Sequence, residues 1–150
     1  MELQWRWYRL EEFDALTLYG YLKLRQDIFV VEQNCAYPDM DQYDAVSQHL
    51  LGSDQNGRIL AALRLVPPGL KYPEPSIGRV ITHADARRGG TGSKLVAEGL
   101  RQSGLLYPGL GHQIGAQSHL QGFYGQFGFI AAGPEYLEDN IPHVDMVIAA

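Results

Sequence analysis

The residues Ile77-Gly-Arg-Val-Ile-Thr-His-Ala-Asp-Ala-Arg-Arg-Gly-Gly-Thr-Gly-Ser-Lys-Leu-Val96 constrain the fold more than any other stretch of this chain. Val80 and Ile81 supply a β-branched apolar run. Gly89, Gly90 and Gly92 let the backbone turn with positive φ, and Leu95, Val96 and Leu100 open a helical stripe. A strand, a glycine loop and a helix start in that order leave unpaired N–H groups at the positive end of the helix dipole, where an anion such as phosphate is held.

The glycine spacing narrows the ligand. A P-loop needs Lys and then Ser or Thr directly after its last glycine, whereas Gly92 is followed by Ser93 and Lys94. A dinucleotide fingerprint needs a third glycine where Leu95 stands.

Other classes are excluded by composition. The 150 residues, 45% hydrophobic and 19% charged, read as one domain over 1–150 that buries its own core. A net charge of −5 argues against nucleic acid as a partner and suits a cationic or small neutral substrate. Cys35 is the sole cysteine, so no intrachain disulfide framework exists. The start Met1-Glu-Leu-Gln-Trp lacks the basic-then-apolar order of a signal peptide, and no apolar run reaches bilayer length. A cytoplasmic protein with no membrane partner is expected. No metal site is expected either. Asp39-x-Asp41-x-x-Asp44 lacks the glycine and closing glutamate of a calcium loop, and His49, His83, His112 and His119 show no ligand spacing with one another or with Cys35.

Along the chain, Leu3–Leu10 alternates as a first strand. A helix capped by Thr17 follows, with Leu18, Tyr21, Leu22, Arg25, Ile28 and Phe29 on one face. Arg25 on that face either lays its stem along the core and pairs with a carboxylate or serves a ligand. The segment 29–44 turns polar and carries Glu32, Asp39, Asp41 and Asp44. It reads as a loop outside the core, either simply solvated or an acidic rim that attracts an amine. Cys35 has no obvious local base partner and reads as inert.

From Ser47 to Pro67 a hairpin turns at Asn56-Gly57, and a stiff proline loop leads to the strand Ile77–Thr82. A helix over Ser93–Ser103 ends at Gly104. A strand follows at His112–Gln117, then a short helix at His119–Gln126 stopped by Gly128. Phe129–Ala132 and Val144–Ile148 are the last strands, with a polar connector over Glu135–Pro142. An exposed final strand leaves a homodimer open. The order describes an α/β chain with one central mixed β-sheet flanked by helices, its glycine loop at the carboxyl end of a central strand.

Arg87-Arg-Gly-Gly90-Thr-Gly92 resembles the Arg-x-x-Gly-x-Gly pyrophosphate loop of the acetyl-CoA-dependent GNAT superfamily of N-acetyltransferases, and Phe123-Tyr124-Gly-Gln-Phe-Gly128-Phe129 resembles its Phe-Tyr-x-x-x-Gly-Phe signature. Gln117, seven residues before Tyr124, stands where that superfamily usually has Asn. Phe29-Val-Val-Glu-Gln-Asn-Cys35, Gly115-Ala-Gln-Ser-His-Leu-Gln121 and Glu138-Asp-Asn-Ile-Pro-His143 resemble its ElaA branch, a likeness that covers nearly the whole chain.

The resemblance implies a GNAT acyl-CoA N-acyltransferase fold, with acetyl-CoA as cosubstrate and a small-molecule or peptide amine as acceptor, acetylated by direct attack in a ternary complex. It assigns Arg87, Arg88, Gly89, Gly90, Thr91 and Gly92 to the pyrophosphate, and the backbone of Ile81 and Thr82 to the pantetheine arm and thioester carbonyl. Gln117 joins the cofactor-binding set. Tyr124 becomes the general acid that protonates the leaving thiolate, although a tyrosine at this helical spacing also reads as core. Many relatives place a glutamate base where this chain has Ser76. His143 therefore becomes the first candidate for the base, with Glu32 and Glu138 behind it, each of which also reads as a surface group. The missing glutamate leaves an alternative: a GNAT-fold module that binds an acyl-CoA as a sensor or interaction domain and transfers nothing.

Overall fold

A computed structural model describes residues 2–150. The elements in chain order are β1 (Gln4–Arg9), α1 (Ala15–Arg25), a π-helical extension of α1 (Gln26–Glu32), β2 (Gln48–Ser53), β3 (Ile59–Val66), β4 (Ser76–Thr82), α2 (Thr91–Leu106), β5 (His112–Gln117), α3 (Gln121–Gly125), β6 (Ile130–Ala131), β7 (Tyr136–Glu138) and β8 (Ile141–Ile148). No helix among the described residues is long and apolar enough to cross a membrane.

Local chemistry explains most boundaries. Asp14, rather than Thr17, caps α1: its carboxylate accepts from the Thr17 N–H at 2.8 Å and the Thr17 hydroxyl at 2.9 Å. The β2–β3 turn is tied by Asp54, whose Oδ1 accepts from the N–H groups of Asn56 and Arg58, while Gly57 takes φ +81°. Helix α2 runs through Gly104 to Leu106, because a glycine inside an otherwise favourable stripe lowers helix stability without ending it.

The single expected sheet is divided into two. Strands β1-β2-β3-β4 form one antiparallel sheet; β5, β8 and β6 form the other, with β7 also paired to β8. The helical face of the first sheet, together with the second sheet, buries Leu50, Leu63, Leu65, Ile77, Leu95, Val96, Ile114, Tyr124, Phe129, Val144 and Met146. The opposite face packs Leu51, Ala62 and Ile81 against Tyr21, Leu24 and Ile28 of α1 and its extension. Strand alternation sends neighbours such as Leu50 and Leu51 to these two faces. The second sheet also contains an element absent from the sequence reading. Asp139 and Asn140, at φ +49° and +63°, make a tight turn that folds the polar connector into the β7–β8 hairpin.

Beneath the segment 29–44 lies a buried ion network. Arg25, fully buried, sends Nε to Asp39 at 2.8 Å and clasps Asp44 with both terminal nitrogens at 2.8 and 3.1 Å. Arg64, also buried, holds Asp41 at 2.6 and 2.8 Å and reaches Asp44 at 3.1 Å. Arg79 closes the set on Asp39 at 2.8 Å and Asp41 at 3.3 Å. Arg25 thus takes the pairing role. The three aspartates are anchors whose charge is spent on arginines, neither a solvated loop nor an acidic rim. Asp44 is itself buried; desolvation opposes its ionisation, but the two guanidiniums prevail and hold its carboxyl down at about 2.

The two sheets meet where β4 and β5 begin. The Ile77 N–H donates to His112 Nε2 at 2.7 Å, and the Gln113 N–H donates to the Pro75 carbonyl at 3.2 Å. An Nε2 that accepts leaves the proton on Nδ1, which donates to Ser103 Oγ at 3.3 Å. Burial pushes His112 down to about 4, so the ring stays neutral in the fold. Its folded pKa lies below the unfolded value of about 6.5, so the stability it supplies is full above that value and is lost as pH falls toward 4. Between about pH 7 and pH 5 the wild type should lose about 2 kcal/mol from this group. His112→Leu strands the Ile77 N–H and should cost about 1–3 kcal/mol at neutral pH, with a flatter pH dependence over that window. Urea unfolding at both pH values checks this, and parallel pH slopes for the two proteins would refute it.

Candidate functional site

Strand β4 carries a bulge. Its register passes from Ala62↔Ile81 to Arg64↔Gly78, so that Arg79 and Val80 together oppose the single residue Leu63, and Arg79 sits at φ +49°. The His83 N–H bonds back to the Leu60 carbonyl at 2.7 Å, so alternation turns the backbone groups of Ile81 toward β3 as well. The bulged pair and Thr82 face away from β3, into the gap where β4 and β5 diverge. Ile81 therefore does not offer its amide to the gap as expected, and its side chain is buried against α1. Val80, which the motif comparison passed over, does so instead. Only the paired register exposes it.

The gap opens into a cavity of about 130 Å3, lined on one side by Ser76 to Val80 and on the other by Ile114 to Gln117. The π-helical turn and following loop close it with Phe29, Gln33, Cys35 and Asp39, and the β7–β8 hairpin brings Glu138 and His143. Tyr124 enters from α3. It is 7% exposed, and its hydroxyl has no hydrogen-bond partner among the described residues although it borders the cavity. Burial pushes the phenol up to about 12, so it keeps its proton throughout the physiological range.

His143 is placed by β8. It lies opposite Gln117 on one side and Tyr136 on the other, with the Tyr136 ring stacked on its imidazole. Its Nδ1 donates to the Ile141 carbonyl at 2.7 Å, which leaves Nε2 free to accept, facing Glu138 Oε2 at 3.5 Å. Gln117, at the end of β5, lines the same cavity and reaches Gln33 at 3.5 Å. Ser76 is buried with its hydroxyl 3.4 Å from the Ile77 carbonyl, so no carboxylate replaces the absent glutamate on β4.

Glu32 is not at the cavity. Its carboxylate binds Arg87 at 2.8 and 3.1 Å on the exposed rim, and the same guanidinium donates through Nε to the Thr82 carbonyl at 3.1 Å. The residue expected as a second base instead fixes the first residue of the glycine loop to the end of β4. Opposite charges on facing loops account for the choice.

The loop itself is built to leave amides open. Arg88 and Gly90 take φ +74° and +75°, Thr91 begins α2, and no side chain caps that helix start. The N–H groups of the first turn consequently have no acceptor within the helix, at the positive end of the longest regular α-helix among the described residues. A Cβ at Gly92 would lie 3.7 Å from Phe123 and 4.0 Å from Thr82, which sets the helix start between the end of β4 and the ring preceding Tyr124. An open amide nest beside the strand gap fits the diphosphate and thioester of an acyl-CoA.

Comparison with known proteins identifies the family. The family described as Acetyltransferase (GNAT) domain matches residues 25–150. The chain belongs to the GNAT acetyltransferase family. It is 42% identical over 147 residues to a UPF0039 protein of Synechocystis, across 98% of this chain and 96% of that one. It is also 36% identical over 146 residues to Protein ElaA of Escherichia coli, across 96% and 95%. A crystal structure of an acyl-CoA N-acyltransferase from Pseudomonas aeruginosa matches with a TM-score of 0.93 at 37% identity, covering 99% of this chain and 100% of that chain. Escherichia coli ElaA matches at 0.90 and 35% identity, covering 97% and 99%. The fold of this GNAT protein is thus the acyl-CoA N-acyltransferase fold that the two motifs implied, with ElaA among its relatives.

The loop conformation yields a stability contrast. Gly90→Ala forces a side chain into the left-handed region and should cost about 1–2 kcal/mol. Gly89→Ala, in open space and outside that region, should stay within about 0.5 kcal/mol of wild type. Urea midpoints of the two variants measure the difference; equal midpoints would contradict the loop conformation.

Proposed function

We propose that this GNAT protein is an N-acetyltransferase that moves an acetyl group from acetyl-CoA to an amine by direct attack in a ternary complex. The observation that carries the reading is the β4 bulge. It turns the amides of Arg79 and Val80 into a cavity that also holds the unpartnered Tyr124 hydroxyl and the free Nε2 of His143.

In this reading the first-turn amides of α2, with Gly89 and Gly90, hold the pyrophosphate, and Arg88 and Thr91 contribute at its edge. Arg87 is held by Glu32 and serves to fix the loop. Gln117 and Thr82 border the path of the pantetheine arm. His143 Nε2 takes a proton from the acceptor ammonium, and the neutral amine attacks the thioester carbonyl. The Val80 N–H donates to the resulting oxyanion, a contact of a kind worth about 3 kcal/mol in acyl-transfer enzymes. The C–S bond then breaks, the departing thiolate takes the Tyr124 proton, and as the tetrahedral centre collapses its nitrogen gives up its extra proton to the Tyr124 phenolate, which leaves a neutral amide, free thiol and protonated His143. Cys35 takes no part: its thiol is 3.3 Å from the Asp139 carbonyl, to which it donates. The other use of the fold, an acyl-CoA binder without transfer, predicts tight acetyl-CoA binding with no acceptor-dependent thiol release.

Two variants test the assignment. Tyr124→Phe removes the only proton that this residue can give and should lower kcat roughly a hundredfold, with acetyl-CoA affinity unchanged. Thiol release under saturating acetyl-CoA measures it, and undiminished turnover would remove Tyr124 from the reaction. His143→Ala should flatten the acid-side rise of the pH–rate profile of kcat/KM. An unaltered profile would place the base elsewhere.

A further inference from the structure

The cavity holds one cation, Lys71, that has no ion-pair partner among the described residues. Arg64 and Arg79 also border it, but both are ion-paired with aspartates, Arg64 with Asp41 and Asp44 and Arg79 with Asp39 and Asp41. Lys71 comes from the proline loop between β3 and β4, in a turn closed by the Gly69 N–H on the Tyr72 carbonyl at 2.8 Å. Its side chain lines the cavity, its ammonium sits 5.7 Å from the Tyr72 ring centroid, and among the described residues no carboxylate comes within 4.0 Å of it. Desolvation lowers its pKa; Glu138 opposes that more than Asp41 does, and Arg64 and Arg79 add to the lowering. A partly desolvated ammonium without a counter-ion is unfavourable in the free protein and becomes favourable once an anion arrives.

At the same cavity the charge pattern reverses. Glu138 and the free Nε2 of His143 stand together on the β7–β8 hairpin, 3.5 Å apart, where they suit an ammonium. One cavity thus presents a place for a positive group and a separate place for a negative one. A single cation near Glu138 matches a monoanion; a phosphate dianion would bring more negative charge than Lys71 neutralises.

We infer that the acceptor is zwitterionic, an amine that also carries a carboxylate, with Lys71 holding the carboxylate while the amine lies against His143 and Glu138. This rests on the acyl-transfer reading above, and it narrows the acceptor to free amino acids and short peptides with a free C-terminus. Lys71 is then a specificity residue that touches substrate, and the Asp39–Asp41–Asp44 network keeps its two arginine neighbours from competing for the carboxylate.

The test compares alanine with alaninamide, lysine with lysinamide, and glycylalanine with its amide, as well as phosphoethanolamine. Acid forms should show at least a tenfold higher kcat/KM than their amides; Lys71→Met should erase that preference, and Lys71→Arg should retain part of it. Equal use of acids and amides, a preference that survives Lys71→Met, or a preference for phosphoethanolamine would overturn the inference. A higher kcat/KM for alanine than for glycylalanine points to free amino acids, and the reverse to peptide C-termini. Equilibrium binding of the same probes to the CoA-loaded protein, followed by ligand-observed NMR, separates the two levels of the proposal. If no amine releases thiol, the enzyme reading fails. An acid-over-amide preference in binding that Lys71→Met removes would still uphold the recognition of the carboxylate, and no such preference would end it.

Discussion

Two neighbouring strands that are fastened at one end and unfastened at the other create everything else at this site. At the base, the Ile77 amide is bound by a neutral imidazole from β5, and the Gln113 amide by the Pro75 carbonyl. Farther along, the bulge at Arg79 and Val80 turns two consecutive backbone units away from β3. Buried amides and carbonyls left without partners are costly, so a strand edge held open inside a protein calls for a ligand that supplies the missing bonds.

A second constraint governs charge. Three arginines and three aspartates neutralise one another under the segment after α1, two of the arginines almost wholly out of water. Breaking one member of such a set leaves an uncompensated buried charge, and this fixes the conformation of the segment more firmly than its polar composition would. It also removes six charges from the electrostatics of the cavity. What remains at the cavity is Lys71 on one side and Glu138, Asp139 and His143 of the hairpin on another, so a chain of net charge −5 does not present a uniformly acidic pocket.

Where the sequence could be read, a local rule applied. The Asn56-Gly57 turn, the apolar stripe of α2 and the glycine loop announce themselves through spacing of three or four residues, and the two GNAT motifs are equally local. The Asp139-Asn140 turn was legible in principle, since both residue types tolerate positive φ, but the polar run around it lacks the alternation that marks a strand. The roles of Asp39, Asp41 and Asp44 were not legible. Their partners Arg25, Arg64 and Arg79 lie 14 to 40 positions away, and no periodicity connects them. Glu32 drew attention as a free acid because Arg87 is 55 residues distant in sequence.

The sequence by itself determined the family and the strand, glycine loop and helix start at its centre. A glycine loop between an apolar strand and an amphipathic helix leaves amides exposed at the helix start, and backbone conformation of that kind is a property of neighbouring residues. Tertiary structure decided which amides turn away from β3, which imidazole nitrogen is left to accept, and which charges are paired. The offset of β4 against β3 turned Val80 rather than Ile81 away from β3, and a hairpin turn set Glu138 beside His143. Each of these depends on register or on contact between residues far apart along the chain, where a shift of one position reverses the direction of every group on a strand.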